Sequence, residues 1–311
     1  MTEMQIDTPK AQDDMPTRCG FVAVLGAPNV GKSTLVNLLV GAKVAIVSPK
    51  VQTTRTRVNG IAIRDKAQIV FLDLPGVFAP RRRLDRAMVD AAWRGVEDAD
   101  VALVLVDASH GVDENTDRIL TGLAERKIGA VLVINKIDLV KPPVLLALSA
   151  DLNKRAAFEA TYMISAAEGD GTEDLMRYLV QRVPEGPWLY PEDQLTDLTE
   201  RLLAAEITRE QAFVQLHQEI PYSVAVETEK WEEFEDGSVR VDQVIYVQRE
   251  GQKKIVIGEK GARIKAIGSA ARAELTQLLG RKVHLFLHVK VAENWAEKRD
   301  FYRAWGLEYD V

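Results

Sequence analysis

The sequence predicts an α/β protein in which a doubly wound, mostly parallel sheet is followed by a smaller α+β domain. Three observations predict it. Continuous apolar runs at Phe21–Leu25, Val101–Val106 and Ala130–Ile134 read as strands covered on both faces. Helical segments near Leu84–Val96 and Asn115–Arg126 alternate with them. Beyond Pro184–Asp193, which holds three prolines and a glycine, the pattern shifts from Tyr222 to strands that alternate apolar and polar residues.

Composition sets the outer bounds. The 311 residues suffice for two domains, and a hydrophobic content of 47% allows packed cores. A net charge of −6 argues against a uniformly basic nucleic-acid binder, so the distribution of charge matters more than its sum. The single cysteine, Cys19, excludes an internal disulfide, fits a reducing compartment and reads as an inert thiol. Residues 1–18 are polar, without the features of a secretory or transit signal, and read as a disordered tail. No apolar run approaches the roughly 20 residues that span a bilayer. The expectation is a soluble, cytoplasmic protein, with peripheral contact at the inner membrane left open.

The chain is organised around Gly26-Ala27-Pro28-Asn29-Val30-Gly31-Lys32-Ser33, which reads G-x-x-x-x-G-K-S. It follows the first strand and precedes a helical stretch from Thr34 to Leu39, the context the phosphate-binding loop requires. Gly26 and Gly31 let the backbone curl round an anion. The N–H groups of Asn29 to Ser33 and the helix N-terminus then favour phosphate. Lys32 is placed for the β- and γ-phosphates, and the Ser33 hydroxyl for Mg²⁺.

Ala45–Arg57 is polar and charged with a central proline, and reads as an exposed, mobile loop. Within it Gln52-Thr53-Thr54-Arg55 offers a second hydroxyl to the metal, from Thr54. Strands follow at Val58–Ile63 and Gln68–Leu72, and the second ends in Asp73-Leu74-Pro75-Gly76, a D-x-x-G. Asp73 can hold Mg²⁺ through water, and Gly76 can offer its N–H to a γ-phosphate. Arg81–Arg83 reads as a solvated basic turn that a nucleic-acid backbone could also contact.

The strand at Ala130–Ile134 runs into Asn135-Lys136-Ile137-Asp138, an N-K-x-D. The Asp138 carboxylate can accept from guanine N1–H and the 2-amino group. Adenine has neither donor and would leave the charge unsatisfied. Asn135 can bond the guanine edge and brace the phosphate loop, and the Lys136 stem can lie along the base. After a strand near Thr161–Ile164, N–H groups of Ser165 and Ala166 can reach guanine O6.

These elements, in this order, resemble the translation-factor-like GTPases. The G-A-P-N-V-G-K-S, Q-T-T-R and D-L-P-G patterns narrow the resemblance to the TrmE-Era-like family, over roughly residues 19–183. The resemblance implies a P-loop NTPase fold, GTP and GDP as ligands, slow basal hydrolysis and Mg²⁺. Val77 follows the D-x-x-G where Ras-like enzymes carry a water-orienting glutamine. Members of the family rely instead on K⁺ held partly by the phosphate-loop asparagine, here Asn29. Lys32, Asn29, Thr54 and Gly76 are therefore the expected catalytic set.

Residues 184–197 read as a linker, and 198–311 as a second domain opening with a helix over Leu198–Gln218, capped by Thr196 or Asp197. Strands are expected at Ser223–Glu227, Val239–Arg249 and Val283–Val291. Gly258-Glu259-Lys260-Gly261 is a G-x-x-G loop, read here as joining an apolar strand to a helix. Arg249 to Lys290 holds ten Lys/Arg against three Glu. The loop, the helix N-terminus, Lys260, Arg263 and Lys265 suit a nucleic-acid backbone. Ile264 joins Ile255, Ile257 and Ile267 as groove or core residues, the core being the expectation for most. His284 and His288 share a strand face with too few partners for a metal, and Trp295–Trp305 reads as a final helix.

The run I-V-I-G-E-K-G-A-R-I-K-A-I-G resembles the KH motif, in its type II topology. A GTPase domain followed by a KH domain resembles the ribosome-assembly members of the family. That resemblance implies binding of 16S rRNA and the 30S subunit by a monomer. Two rival readings stand beside it. One is a membrane-surface signalling GTPase whose second domain contacts protein or lipid. The other is a nucleotide kinase or ATPase, against which Asn135 and Asp138 argue.

Overall fold

The structure is a computed structural model that describes residues 16–48, 50, 53–216, 220 and 223–311. Of the tail expected over residues 1–18, residues 1–15 lie outside the described residues, as do Gln52 and Tyr222, while Arg18 already belongs to the first strand. In the first domain the strands are β1 (Arg18–Gly26), β2 (Val58–Arg64), β3 (Ala67–Asp73), β4 (Val101–Asp107), β5 (Val131–Asn135) and β6 (Thr161–Met163). The helices are α1 (Lys32–Val40), α2 (Arg83–Glu97), α3 (Glu114–Arg126), α4 (Pro142–Arg155) and α5 (Thr172–Arg182). The sheet order is β2-β3-β1-β4-β5-β6, parallel except for β2, which runs antiparallel to β3. Two apolar clusters cover its two faces, one under α1 and α5, the other under α2 and α3. The doubly wound sheet expected from the sequence is therefore present.

Two helices escaped the sequence reading. α4 opens on Pro142 and Pro143, which look like a loop signal but occupy a first helical turn, where a missing N–H costs nothing. α5 starts from Gly171, whose φ of 71 is left-handed, and buries Leu175, Met176 and Leu179.

The linker is strapped to the first domain. Gln68 at the start of β3 donates from Nε2 to the Tyr190 carbonyl at 2.8 Å, and its Oε1 accepts from the Leu189 and Tyr190 N–H groups. The Ile61 N–H of edge strand β2 donates to Leu195, which occupies part of an otherwise open ladder. Cys19 is buried beside Gln68, and burial raises its thiol pKa.

The second domain contains α6 (Glu200–Gln215), β7 (Ala225–Glu233), β8 (Val239–Val247), α7 (Glu250–Ile257), α8 (Ala262–Leu279), β9 (Val283–Val291) and α9 (Arg299–Ala304). Its sheet order is β7-β8-β9, antiparallel between β7 and β8 and parallel between β8 and β9. Several expectations need correction. Thr199, not Thr196 or Asp197, caps α6, its hydroxyl accepting from Leu202 N–H. The α6 helix ends at Gln215, and residues 217–219 lie outside the described residues. The segment before the G-x-x-G loop is a helix, not a strand. A short apolar run does not distinguish the two. Here the Gln252 side chain accepts from the N–H groups of Gln248 and Arg249, closing a helix start. Trp295–Trp305 is split into a 3-10 turn and α9.

The domains pack on one another. Ile46 from the loop after α1 joins Ala204, Ile207, Ala271 and Leu275 of α6 and α8. Leu84, Ala87 and Met88 of α2 meet Trp295, Phe301 and Tyr302. The loop Ala45–Arg57, expected to be exposed, is thus partly interior, with Ala45, Ile46 and Arg55 buried.

Candidate nucleotide site and nucleic-acid interface

The carboxyl ends of β1 and β3 bring the phosphate motif and the D-x-x-G together. Residues Pro28, Asn29, Gly31, Lys32, Ser33, Thr34, Thr53, Thr54, Gly76 and Lys136 line a cleft of about 350 Å³. Gly31 has a φ of 100, and a Cβ there would lie 2.3 Å from Asn135 Nδ2. Only glycine fits that approach. Lys32 is buried, its Nζ donating to the carbonyls of Gly26 and Ala27 at 3.2 and 3.0 Å. Ala27 and Val30 pack beneath the loop, Leu74 is fully buried, and the Val77 N–H donates to Gly26. Val77 itself is buried and offers no polar side chain to a water.

The three expected metal ligands converge. Ser33 Oγ donates to Asp73 Oδ2 at 2.7 Å, Thr54 Oγ1 to the same oxygen at 3.1 Å, and the two hydroxyls are 3.1 Å apart. Asp73 Oδ1 is buried and has no hydrogen-bond partner among the described residues. An orphaned carboxylate oxygen beside two hydroxyls is a donor set that fits a hard cation such as Mg²⁺. Burial raises the Asp73 pKa against the opposing pull of Ser33, Lys32 and Thr54. A larger hollow of about 520 Å³ lies between α2 and α3 beside Val77 and Phe78. It has no comparable convergence of phosphate-binding groups.

At the base end, Asn135 is buried and both ends of its amide are engaged. Nδ2 donates to the Val30 carbonyl at 2.8 Å, and Oδ1 accepts from Ala166 N–H at 2.9 Å. It therefore ties the phosphate loop to the turn after β6. The Ser165 N–H donates to Asp170 at 3.0 Å. Neither expected donor to guanine O6 is thus idle, and the next N–H in the turn is that of Ala167. Asp138 is exposed on a 3-10 turn. Lys136 donates to the Asn29 carbonyl at 2.8 Å and to Asp107 Oδ2 at 2.6 Å.

In the second domain α7, the Gly258–Gly261 loop and α8 form a helix–loop–helix. Gly258, Lys260 and Gly261 all have positive φ, which turns the chain sharply and leaves Glu259 and Lys260 exposed. Arg263 and Ile264 are half-buried and Lys265 exposed in the first turns of α8. Of the four isoleucines only Ile267 is core. Ile255 is 42% exposed, and Ile257 and Ile264 are half-buried, so the core expectation fails for three of the four. Arg81 and Arg82 are exposed as expected, but Arg83 is held by Glu297 at 3.0 Å and lies over Tyr309. His284 and His288 lie on edge strand β9.

The family model described as a 50S ribosome-binding GTPase matches residues 21–136, and a KH-domain model matches 219–296. GTPase Era of Sinorhizobium medicae is 58% identical over 308 residues, 99% of each chain. That of Brucella suis is 57% identical over 293 residues, 94% of each. The chain belongs to the Era GTPase family. Two solved Era structures, each 40% identical, superpose with a TM-score of 0.89 over 95% of this chain and all of theirs. One is a complex with MgGDPNP and nucleotides 1506–1542 of 16S ribosomal RNA, the other an Aquifex aeolicus variant bound to GDP·AlF4⁻.

Against this Era fold, sequence reasoning missed two groups. Asp107, at the carboxyl end of β4, is buried and holds Lys136 in place. Burial works against its charge, but hydrogen bonds from Lys136 and Ser109 prevail and lower its pKa. Its position at a strand end was a usable signal. Arg55 is the second. It is 2% exposed and lies among aromatic rings of the second domain, which nothing local in the sequence announces.

Burial, partly offset by Asp73, pulls the Lys32 ammonium down to about 8. Below that pH the lysine is charged and ready for phosphate. Above it, binding must first restore the proton. Nucleotide affinity should therefore fall between about pH 7 and about pH 8.5, with proton uptake at the higher value. Calorimetry in two buffers of different ionisation enthalpy reads the uptake directly. Equal heats at the higher pH would contradict it.

Proposed function

We propose that this chain is a GTP-hydrolysing switch that grips single-stranded 16S rRNA through its second domain and acts, as a monomer, in assembly of the 30S subunit. The observation that carries the reading is the meeting of Ser33, Thr54 and Asp73 around an unsatisfied carboxylate oxygen. Thr54 and Gly76 both line the cleft from loops outside the phosphate motif, so a γ-phosphate can draw both in. The similarity to an Era complex with MgGDPNP and 16S rRNA supports the ligand and partner classes. Among the described residues no helix is long and apolar enough to cross a membrane.

The roles follow from position. Backbone N–H groups of Asn29 to Ser33 hold the phosphates, and Lys32 sits between phosphate loop and Asp73 to offset their charge. Ser33, Thr54 and Asp73 would hold Mg²⁺, which would supply neutralisation of the charge that develops on the phosphates. Gly76 donates to the γ-phosphate, and the Asn135 brace keeps the phosphate loop in register with the base site. Asp138 selects guanine, and with the Ala166 N–H engaged by Asn135 the donor to O6 is the next N–H of the turn, that of Ala167. Asn29, in left-handed backbone with φ 65 at the cleft, supports K⁺ as the substitute for the glutamine that Val77 replaces. The basic Gly258–Lys265 stretch takes the RNA backbone, and the open isoleucines lie beside its bases.

Two measurements test the nucleotide half. Asp138→Asn should shift preference from GTP toward xanthosine triphosphate by roughly two or more orders of magnitude, because the amide cannot accept both guanine donors. Unchanged GTP use would sink the base assignment. Single-turnover hydrolysis should be faster in potassium than in sodium at equal ionic strength, and identical rates would remove the cation role from Asn29.

A further inference from the structure

Arg55 directly follows the hydroxyl-bearing Thr54, yet its side chain leaves the nucleotide domain. Its guanidinium carbon lies 5.7, 5.5 and 5.6 Å from the ring centres of Phe213, Trp295 and Trp305. Nη1 donates to the Val224 carbonyl at 2.7 Å. The rings come from three separate stretches of the second domain, and two of them brace each other, Trp295 against Trp305 at 5.7 Å and 87°. The indole of Trp295 donates to Ser223, the residue before Val224. The cage is therefore itself rigidly built.

Taking a guanidinium out of water costs several kcal/mol unless partners replace the water. Three aromatic faces and a carbonyl do so here. Glu206 and Asp85 add favourable charge, against burial and the like charge of Arg209. Simple packing would be better served by leucine, so a buried cation at this point implies a demand for direction as well as volume. The backbone on the other side of Thr54 is held the same way, the Thr53 carbonyl accepting from Arg209 Nη2 at 2.5 Å. Upstream, Val47 N–H donates to Glu210, and Lys50 donates to the carbonyls of Phe213 and Leu216. Each of these anchors lies in the second domain.

We propose that Arg55 is a positioning residue, which holds the Thr54 hydroxyl at Asp73 by locking the loop into an aromatic cage of the RNA-binding domain. This rests on the reading of Thr54 as a metal ligand. It follows that the triphosphate state and the docking of this loop on the second domain stabilise each other. GDP, which needs no Thr54, is indifferent to the cage.

The test uses the full-length chain and measures affinity for a non-hydrolysable GTP analogue and for GDP with Mg²⁺. Arg55→Ala should reduce the preference for the analogue over GDP on the order of tenfold, with GDP affinity unchanged. Arg55→Lys, which keeps charge but loses the planar fork, should fall between. Trp305→Leu, which opens one wall and leaves Arg55 in place, should act in the same direction. In a Thr54→Ala background, Arg55→Ala should add nothing. Equal loss of both nucleotides, or an unchanged preference, would overturn the proposal. If Thr54→Ala lowers the preference and Arg55→Ala does not, the cage inference alone fails. If Thr54→Ala leaves the preference intact, the reading of the metal site fails with it.

Discussion

The Asp73 carboxylate is the point on which the rest of the molecule turns. It ends a fully buried strand, and one oxygen gathers hydroxyls from two segments of different kinds. Ser33 belongs to the fixed first turn of α1, and Thr54 to a loop anchored elsewhere. The other oxygen has no partner among the described residues, a costly state inside a protein and a reason for the site to take a cation. Everything that makes the domain switchable, the cleft, the loop and Gly76 beside Pro28, is arranged round that one charge.

Its consequence reaches the second domain because the Thr54 loop is anchored there as well as at Asp73. Lys43 pairs with Glu210 and Glu274, Ile46 enters the α6–α8 core, and Arg55 enters the ring cage. Meanwhile α2, which follows the D-x-x-G, packs against Trp295 and Phe301. Both segments proposed to sense a γ-phosphate, the Thr54 loop and the stretch leading into α2, therefore adjoin the domain that carries the G-x-x-G loop. A shift of a few ångströms at either one is passed to a packed interface, which moves between discrete arrangements rather than deforming smoothly.

How much of this could be read from residues alone depended on range. The phosphate loop, D-L-P-G and N-K-I-D were legible because their chemistry needs contiguous residues at fixed spacing. The parallel strands were legible because burial on both faces leaves unbroken apolar runs. α7 was not, since Ile255, Val256 and Ile257 fit a buried strand as well as a short helix whose capping residue does the deciding. The exposure of Ile255 was not, because hydrophobicity alone does not say which face is left open for a ligand. Arg55 was least legible of all. A basic residue in a polar loop reads as solvated, and its acceptor Val224 lies 169 positions along the chain.

We propose that a guanine-selective pocket and an RNA-gripping loop act from one chain. The most direct measurement is binding of a labelled single-stranded 16S rRNA 3′-end oligonucleotide to the full-length protein, wild type against Gly261→Asp, alongside basal GTP hydrolysis. Gly261 has a φ of 80 and an open surface, so the added carboxylate meets the RNA backbone rather than the core. We expect RNA affinity to fall at least about tenfold at low salt while hydrolysis is unchanged. RNA binding that survives the substitution intact would contradict the placement of the RNA at this loop, and with it the link between the two halves of the molecule.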